Sequence, residues 1–445
     1  MGLKFSTRLC RLSRAIPYIT AGISAFLLLQ AALREGQAEA DSLTSAGQLA
    51  NLSFEDLMQI EVFSASKQAE TVFTTASAIF VITSEDILKS GVNSLPEALR
   101  LAPGVQVAKI DGDKWAVSIR GFSGRFTNKL LVLQDGRTLD NPLFSGTYWN
   151  AQEIMLEDIE RIEIIRGPAA TLWGANAVNG VINITTKHAK DTQGGLVTAS
   201  YGTAERAATG IRYGGKIGEN GYLRAYGKFF DRDIQLDTGS TFMDSKWKDY
   251  RSGFRGDWDF NSKNSITLQG DLYEGPADTA VYSGQNLLGR WSNTISDTSN
   301  LSLQIYYDRT SVKDKNDPEL KMHEARNTGD IELQHSFAIG DSQNIVWGTG
   351  YRLISDQMNN DPTINPAFIP ASRTDRLFTA FINDKITLWP ETVRLILGSR
   401  AEHNDTTGWE IQPTARLLIT PSEQHSLWAA VSRAVRTPSR AETTI

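Results

Sequence analysis

Residues 159–185 decide the fold, and they read IERIEIIRGPAATLWGANAVNGVINIT. Two short runs within them, 159–165 and 181–185, are apolar and rich in β-branched side chains, which predicts two buried strands. Gly167 and Pro168 break the first run, because glycine and proline are the strongest local breakers of regular structure. The stretch therefore predicts two strands inside a compact α/β unit.

That unit extends over residues 76–190, where short apolar runs alternate with turn and cap signals. Its further predicted elements are strands at 78–82 and 130–133, a turn at Asp135-Gly136, and short helices that begin after Thr83 and Ser94. This mixture of short strands and short helices predicts an α/β domain.

The pattern changes after the α/β unit, where apolar and polar residues alternate at period two over segments of about ten residues. In one segment, Leu303 and Ile305 alternate with polar neighbours. We count about thirteen such strands, the first near 196–201 and the last at 424–436. Alternation alone fits either a membrane barrel or a water-soluble sandwich.

The connections between these strands favour the barrel, because short turns and long polar loops alternate along the chain. The predicted short turns lie near 218–220, 261–263, 297–299, 340–341, 389–390 and 421–422, and the predicted long loops near 232–248, 275–285, 311–324, 356–375 and 403–410. A membrane barrel has tight turns at one rim and exposed loops at the other, whereas a sandwich gives no reason for this rhythm. Five tryptophans in or beside strands are expected in aromatic girdles: Trp258, Trp291, Trp347, Trp389 and Trp428.

The first forty residues predict an export signal. A basic start is followed by an apolar run at 15–33 and by the small-x-small pattern Ala38-Glu39-Ala40, which predicts cleavage before Asp41. An uncleaved transmembrane anchor is the alternative.

Since Cys10 is the single cysteine, the mature chain would lack one, which excludes a disulfide, a thiol nucleophile and a thiolate metal site. The net charge of -6, with no basic block beyond the N-terminus, argues against a nucleic-acid partner.

Several stretches of the α/β unit resemble the plug domain of TonB-dependent outer-membrane receptors. They are Ile119-Arg120-Gly121-Phe122, the segment 128–137 that contains Asp135, Gly136 and Arg137, the segment 162–168 that contains Glu163, Arg166, Gly167 and Pro168, the segment 173–177 that contains Gly174 and Asn176, and the segment 180–184 that begins with Gly180. Residues 347–439 also resemble the barrel of this family. The resemblance implies an α/β plug domain followed by an antiparallel transmembrane β-barrel, with about 13 of an expected ~22 strands present.

The resemblance implies four regions: a signal peptide at 1–40, a periplasmic segment at 41–75, the plug at 76–190, and the N-terminal part of the barrel at 191–445. Within the second region, Ile60-Glu61-Val62-Phe63-Ser64-Ala65 aligns with the TonB box, the segment that pairs with the energy-transducing protein TonB. Such pairing adds an extended, loosely held strand to a sheet edge through backbone hydrogen bonds. The usual box carries Val-Val-Thr where this one has Val-Phe-Ser, and an ordinary first plug strand is the alternative.

The arginines and glycines of the motif have physical roles that the residues themselves suggest. Arg120, Arg137 and Arg166 stay charged, so within a barrel they need carboxylate partners, and Glu163 and Asp158 are among those available. The alternative is that they are ordinary solvated arginines at strand ends. No Gly-Lys-Ser/Thr follows the glycines, so they are expected to serve tight turns and close backbone approach instead of a phosphate site.

Candidate ligand-binding residues are sought in the predicted outer loops. They are His323, His403, Trp247, Tyr282, Arg290 and Trp409. No His-Glu-x-x-His and no Gly-x-Ser-x-Gly motif is present, and no metal site, cofactor or enzymatic activity is assigned.

By resemblance, the function is active uptake of a scarce solute across the outer membrane, with a ferric siderophore as the first expectation and cobalamin, haem or another metal chelate as alternatives. The expected partners are TonB, outer-membrane lipid and the metal chelate or vitamin, with no nucleic acid. A passive porin is disfavoured, because a plug of this size fills the lumen. Since the chain ends after about thirteen strands, a truncated, non-transporting fragment is the alternative, and residues 41–445 alone are expected not to form a working transporter.

Overall fold

A computed structural model of the chain describes residues 60–237, 242–277, 280–314, 323–358 and 368–443. The predicted signal peptide at 1–40 and the rest of the segment before Ile60 lie outside these described residues, and so does the predicted cleavage site.

The α/β unit is built on one mixed sheet with several small hairpins beside it. Its strands are β1 Glu61–Val62, β2 Glu70–Thr71, β3 Ile79–Thr83, β4 Val105–Lys109, β5 Trp115–Ile119, β6 Leu130–Gln134, β7 Arg137–Thr138, β8 Asp140–Asn141, β9 Gly146–Thr147, β10 Ile159–Arg166 and β11 Gly180–Thr186. The described helices of the chain are α1 Ser84–Ser90, α2 Leu95–Ala98, α3 Ala170–Trp173 and α4 Arg440–Thr443, with 3₁₀ turns at Leu99–Leu101, Trp149–Ala151, Leu156–Asp158 and Ala189–Thr192.

The two strands predicted from residues 159–185 are confirmed as the centre of the main sheet, whose order is β3-β10-β11-β6-β7. β10 pairs antiparallel with β11 and β3, while β11 pairs parallel with β6. Both faces of β10 are covered, since Ile162 and Ile164 pack into one apolar cluster and Ile165 packs into another. Full burial of such a side chain contributes about 1.5–3 kcal/mol, which explains why the run is apolar at consecutive positions.

The predicted helix starts are also confirmed. Thr83 caps α1 by accepting a hydrogen bond from the Asp86 N–H, and the Asp86 side chain binds the Thr83 N–H in return. Gly91 ends α1 with φ +69°. Ser94 precedes α2, which has Pro96 in its first turn.

Thirteen antiparallel strands follow in one continuous sheet, in chain order, as the sequence predicts. They are β12 Gly194–Ser200, β13 Glu205–Ile217, β14 Gly221–Asp237, β15 Phe242–Asn261, β16 Asn264–Pro276, β17 Ala280–Ser296, β18 Ser299–Asp314, β19 His323–Ile339, β20 Gln343–Met358, β21 Ser372–Trp389, β22 Val393–Asn404, β23 Gly408–Ser422 and β24 His425–Ser432. Within the described residues, β12 and β24 each pair along one edge.

Side chains alternate between the two faces of these strands, with the apolar positions outward as a barrel requires. Strand β18 shows this most clearly. Ile305 and Tyr307 are 50% and 42% exposed on the outer face, while Tyr306 and Asp308 are 2% and 8% exposed on the inner face. The inner face is covered because the α/β unit fills the lumen, and this unit is called the plug below. Among the described residues, no helix is both long and apolar enough to cross a bilayer.

The two rims of the sheet differ partly from expectation. The predicted short turns are confirmed, and the five tryptophans from Trp258 to Trp428 lie near the short-turn ends of their strands. The long-loop prediction is wrong in extent, because β14 continues to Asp237 and only residues 405–407 separate β22 from β23. Polar sequence misled this prediction, since backbone pairing continues into strand ends whose side chains are polar on both faces.

Candidate functional site

The segment 61–65 is held inside the lumen by one buried carboxylate on the plug. Glu163 lies on β10, and its side chain is 0% exposed. Its Oε2 accepts hydrogen bonds from the backbone N–H groups of Phe63, at 3.0 Å, and Ser64, at 2.7 Å. Arg161 donates from Nε to Oε1 of the same carboxylate at 2.7 Å. We call this arrangement of Phe63, Ser64, Arg161 and Glu163 the clasp.

Ser64 is bound through every polar atom it has. Trp173 donates from Nε1 to the Ser64 carbonyl at 2.7 Å, and Asn183 donates from Nδ2 to the Ser64 hydroxyl at 2.9 Å. Val62, two residues before Ser64, is 1% exposed and packs with Ile165 in an apolar cluster of the plug. Two residues of the predicted TonB box, Glu61 and Val62, form β1, which pairs with β2, and the rest of the predicted box lies outside the strands.

The residues after this segment bind the barrel wall near its short-turn end. Lys67 lies with its Nζ 2.7 Å from Glu332 Oε1 and 4.6 Å from the centre of the Phe381 ring. Burial lowers the pKa of Lys67, and the Glu332 carboxylate opposes that shift. Gln68 donates to Asn344 Oδ1 at 2.8 Å, at the start of β20. The residues directly after the segment are thus fixed to the wall by a buried cation and an amide hydrogen bond.

Ion pairs also join the body of the plug to the barrel. Arg137 lies 2.5 Å from Asp308 on β18. Glu153, which is 1% exposed, lies 2.9 Å from Lys228 and 3.0 Å from Arg232 on β14. Burial disfavours the charged form of Glu153, but these two cations outweigh it and hold its pKa below the ordinary value. Separate buried ion pairs therefore join the plug to β14 and to β18.

The predicted partners of the motif arginines are correct for one residue and wrong for two. Arg137 has its carboxylate, whereas the structure shows no carboxylate within ion-pair distance of Arg166 or Arg120 in the described part of the chain. Arg166 instead donates to the Pro103 carbonyl at 3.0 Å, and Glu163 pairs with Arg161. Sequence reasoning missed Arg161. Its position two residues before Glu163 on one strand was the available signal, because such residues share a face.

The Asp135-Gly136 turn is a second junction between plug and wall. Both residues have positive φ, as the predicted hairpin turn requires. The Asp135 carboxylate accepts from Gln269 on β16 at 2.9 Å, and its carbonyl accepts from Arg290 on β17 at 2.5 Å. Arg290 therefore lies inside a strand and against the plug, so its predicted place in an outer loop is wrong.

The motif glycines allow close approach, as predicted. At Gly174, φ is +95° and an added Cβ would collide with the Glu402 carboxylate of β22. That carboxylate accepts a hydrogen bond from the Ala175 N–H at 3.1 Å. An added Cβ at Gly180 would collide with the Ile165 carbonyl across the β10–β11 pair.

The remaining motif residues shape the turn between β10 and β11 and the loop before β6. Gly167 donates from its N–H to the Asn179 carbonyl at 2.8 Å, and the Pro168 carbonyl accepts from Arg416 of β23 at 3.3 Å. Gly121 follows β5 with φ +86°. Asn176 donates to Asp140 at 3.3 Å, and burial raises the pKa of Asp140 to about 7 against the opposing charge of Arg326.

An aromatic cluster joins plug and barrel at the opposite, long-loop end. Tyr148 lies 5.9 Å from Tyr282 and 5.3 Å from Phe126, which stacks on Phe144 at 4.6 Å. Arg125 donates to the Tyr282 hydroxyl at 3.3 Å. The prediction that a loop carries Tyr282 is wrong, because it lies in β17 and is 2% exposed.

The other candidate ligand residues also lie in strands. Trp247 is in β15, 1% exposed, with its ring 4.7 Å from that of Phe230, so it is part of the packing between wall and plug. His403 and Trp409 contact each other at 5.1 Å, and Trp409 is 61% exposed. These two are cross-strand partners and face outward, because Glu402, the neighbour of His403 on β22, faces the lumen.

His323 opens β19 and lies 2.9 Å from the Ser311 hydroxyl, also on the outer face. A ligand role for the six residues stays a prediction. The assignment of Trp247, Tyr282, Arg290 and Trp409 to loops is wrong, whereas His323 and His403 lie at or next to strand ends, in keeping with their predicted place in or near loops. Among the described residues, no group of three or more His, Cys, Asp or Glu side chains is placed to hold a metal ion.

A cavity of about 160 Å³ lies between plug and wall beside Asp140, Asn176 and Arg326. Pockets for drug-sized ligands measure about 300–1,000 Å³, so a bulky solute cannot occupy this cavity without movement of the plug. The plug is thus held to the sheet by the clasped segment at the short-turn end, by the aromatic cluster at the long-loop end, and by ion pairs between them.

Comparisons with known proteins agree with this architecture. Residues 71–181 match the TonB-dependent Receptor Plug Domain family, and residues 184–445 match the family of TonB dependent receptor-like beta-barrels. The chain is 25% identical over 512 residues to the ferric enterobactin receptor of Pseudomonas aeruginosa, covering 96% of this chain and 66% of that protein. It is 31% identical over 197 residues to the vitamin B12 transporter BtuB of Vibrio cholerae, covering 44% of this chain and 31% of the transporter. The chain thus spans less than two thirds of the length of these relatives.

Solved structures share the fold at low identity. A ferric enterobactin receptor structure from Pseudomonas aeruginosa has a TM-score of 0.66 at 18% identity, covering 82% of this chain and 62% of that one. The siderophore receptor PirA from Acinetobacter baumannii has a TM-score of 0.68 at 17% identity, covering 81% and 61%. With the family matches along both the plug and the thirteen-stranded sheet, these likenesses lead to one assignment. The chain belongs to the TonB-dependent receptor family.

Proposed function

We propose that the chain acts in the outer membrane as a TonB-dependent receptor for active uptake of a scarce solute. The observation that carries the proposal is the clasp. A β-prone segment is bound by a buried carboxylate at the short-turn end, where release would offer it to a partner in the periplasm. The proposed function makes and breaks no covalent bond.

The proposed cycle begins at the long-loop end. A solute bound there contacts the plug loops that carry Arg125 and Phe126, which are already joined to the wall through Tyr282 and Tyr148. Binding shifts the population of plug states, and segment 60–65 leaves the clasp. TonB then pairs with the free segment as an added strand, and force completes the opening.

The proposed solute is a ferric siderophore. Two observations support this class over the other chelates: a relative that aligns with nearly the whole chain is a ferric enterobactin receptor, and the two solved structures of similar fold described above are siderophore receptors. Arg125 beside an aromatic cluster also suits an anionic, aromatic chelate, because arginine combines charge with stacking.

Uptake of labelled ferric enterobactin by the source organism tests the proposal. We expect deletion of the gene to remove an energy-dependent component of uptake. A chromosomal Val62→Pro variant should lose the same component and retain binding of the chelate, because proline removes a backbone donor from the pairing segment. Unchanged energy-dependent uptake in the deletion strain would reject the proposed receptor function. Unchanged uptake in the Val62→Pro strain would reject the assignment of residues 60–65 as the TonB box.

We also propose that an export signal ending at Ala40 is removed during passage to the outer membrane. The basic start, the apolar run and the Ala38-x-Ala40 pattern support this. N-terminal sequencing of the protein from the envelope fraction should begin at Asp41. Recovery of an intact Met1 in that fraction would contradict cleavage.

A further inference from the structure

Trp173 is the last residue of α3, a short helix of the plug that the barrel wall holds through its backbone and side chains. The Thr171 hydroxyl donates to the Gln412 carbonyl of β23 at 3.0 Å, and Arg400 of β22 donates to the Leu172 carbonyl at 3.3 Å. Leu172 also packs in an apolar cluster with side chains of β20 and β21. The position of α3 therefore depends on four neighbouring strands of the wall.

The indole of Trp173 contacts both attachments of the segment aligned with the TonB box. Its Nε1 donates to the Ser64 carbonyl at 2.7 Å, and the N–H of the same Ser64 is bound by Glu163 in the clasp. The Nζ of Lys67 lies 4.9 Å from the centre of the indole ring. An ammonium group at this distance is attracted by the face of the ring. One side chain therefore touches the clasp and the buried lysine that follows it.

Trp173 also lines the cavity of about 160 Å³ between plug and wall, together with Ala175, Asn176 and Glu402. The Ala175 N–H donates to the Glu402 carboxylate of β22 at 3.1 Å. Only Gly174 separates the residue that is bound to the wall from the residue that is bound to the clasp. The chain thus links the cavity to the clasp over three residues, and the functional roles assigned above do not use this link.

We propose that Trp173 is a positioning residue that couples Glu402, and the cavity beside it, to release of the segment 60–65. A solute group that enters the cavity or displaces Glu402 would move the indole, which weakens its bond to Ser64 and its contact with Lys67 in one step. The inference rests on the proposed function, in which release of this segment follows a shift in the population of plug states.

A purely structural role for Trp173 is the alternative, in which the ring only fills the space beside α3. The two roles depend on different parts of the indole. Phenylalanine keeps an aromatic ring near Lys67 but has no N–H group, so Trp173→Phe selectively removes the bond to Ser64. Coupling requires that bond, whereas space filling does not.

The test is amide hydrogen exchange, measured by mass spectrometry on the protein in mild detergent, with neither solute nor TonB present. We expect Trp173→Phe to accelerate exchange in residues 61–65 by about fivefold, because one hydrogen bond to the segment is lost. The matched control is Trp115→Phe, which makes the same change in the plug core. The Nε1 of Trp115 is buried without a hydrogen-bond partner among the described residues, so exchange in the segment should not change. The amides of β10 report general unfolding of the plug in each variant.

A second measurement tests the coupling itself. Glu402→Gln weakens the bond from the Ala175 N–H without changing any residue of the clasp. We expect it to accelerate exchange in residues 61–65 by about threefold in the wild-type background and to have no effect in the Trp173→Phe background, since residues coupled through one side chain become independent without it.

Equal exchange in Trp173→Phe and Trp115→Phe would overturn the proposal. So would an effect of Glu402→Gln that is absent from the wild-type background or equal in the two backgrounds. These measurements use the folded protein alone, whereas the proposed receptor function is tested by uptake in the deletion strain. Failure of one proposal is therefore distinguishable from failure of the other.

Discussion

The Ser64 N–H donates a 2.7 Å hydrogen bond to the Glu163 carboxylate, across 99 positions of sequence. The bond joins the segment aligned with the TonB box to the strand that decides the plug fold. Arg161 pairs with the same carboxylate and lies on the same strand. Movement of β10 would therefore shift both Glu163 and Arg161 relative to the Ser64 N–H group. We propose that plug rearrangement releases the segment by this route.

Glu163→Gln should loosen segment 61–65 without unfolding the plug. The amide keeps the shape of the side chain but loses the charge that strengthens the bonds from Phe63 and Ser64. Hydrogen bonds to charged groups contribute about 1.5–3 kcal/mol, so amide hydrogen exchange in the segment should accelerate by about thirtyfold. The exchange is measured by mass spectrometry on the folded protein.

Glu160→Gln is the control for this change. Glu160 lies on the same strand and pairs with the same Arg161, but its side chain is 46% exposed. Exposed pairs contribute ~0–1 kcal/mol, so exchange in the segment should change little. Equal acceleration in both variants would show that Glu163 does not hold the segment.

Lys67 and Glu332 should show a coupling energy of about 1–3 kcal/mol in a double-mutant cycle of Lys67→Met and Glu332→Gln. Lys67 is 4% exposed, so methionine can keep its contacts with Phe381 while it removes the charge. The measured quantity is the free energy of local opening of residues 66–70. The exposed pair Glu85–Lys89 on α1 is the reference, with ~0.3–0.5 kcal/mol expected. Equal coupling energies for the two pairs would show that Lys67 does not anchor residues 66–70 to the barrel wall.

The local sequence pattern was sufficient to predict much of this fold. The strands at residues 159–165 and 181–185 appear as β10 and β11 because both carry apolar side chains on two covered faces. The barrel strands were predictable because a lumen filled by a plug keeps the period-two alternation that Ile305 and Tyr306 illustrate. Cap and turn chemistry at Thr83 was predictable for the same local reason.

The clasp itself was not predictable, because the contact between Ser64 and Glu163 depends on how distant segments pack. A buried carboxylate can satisfy its oxygens with backbone N–H groups as readily as with arginine, and sequence does not distinguish these partners. The loop prediction at Trp247 failed for a related reason. Polar residues around it indicated exposure, whereas its ring fills a gap between wall and plug.

Gly174→Ala should destabilise the seated plug more than Gly91→Ala does. Both glycines have positive φ, but no atom lies within 4 Å of a Cβ placed at Gly91, whereas one at Gly174 meets the Glu402 carboxylate. Gly91→Ala should cost ~1–2 kcal/mol for the left-handed backbone alone. Gly174→Ala should cost about 1–3 kcal/mol more, because Glu402 must move from Ala175 and because the backbone at Gly174, with φ 95° and ψ −170°, is less accessible to alanine than that at Gly91. Urea unfolding in detergent micelles compares the two, and equal losses would exclude a close approach at Gly174.

Glu153 should give the plug an acid-labile attachment to the barrel. Its pKa is held below the ordinary value of 4.5, since Lys228 and Arg232 outweigh the effect of burial. An acid with a depressed pKa in the folded state contributes stability that is fully present above its unfolded pKa. The contribution is then lost as pH falls from about 4.5 through the depressed value. The wild-type free energy of unfolding should therefore decrease as pH falls through this range. A variant that lacks Glu153 should show a smaller decrease.

Glu153→Gln is that variant, and unfolding in urea across the same pH range provides the measurement. At neutral pH it should lose about 3–5 kcal/mol, because Lys228 loses its carboxylate and buried Arg232 keeps only that of Glu205. Below pH 4.5 its stability should approach that of the wild type. Glu157→Gln is the control on the same segment, since Glu157 forms no salt bridge with the described residues. The free energy of unfolding of Glu157→Gln should depend on pH as that of the wild type does. If Glu153→Gln showed the same dependence, the ion pairs with Lys228 and Arg232 would not hold the plug in place.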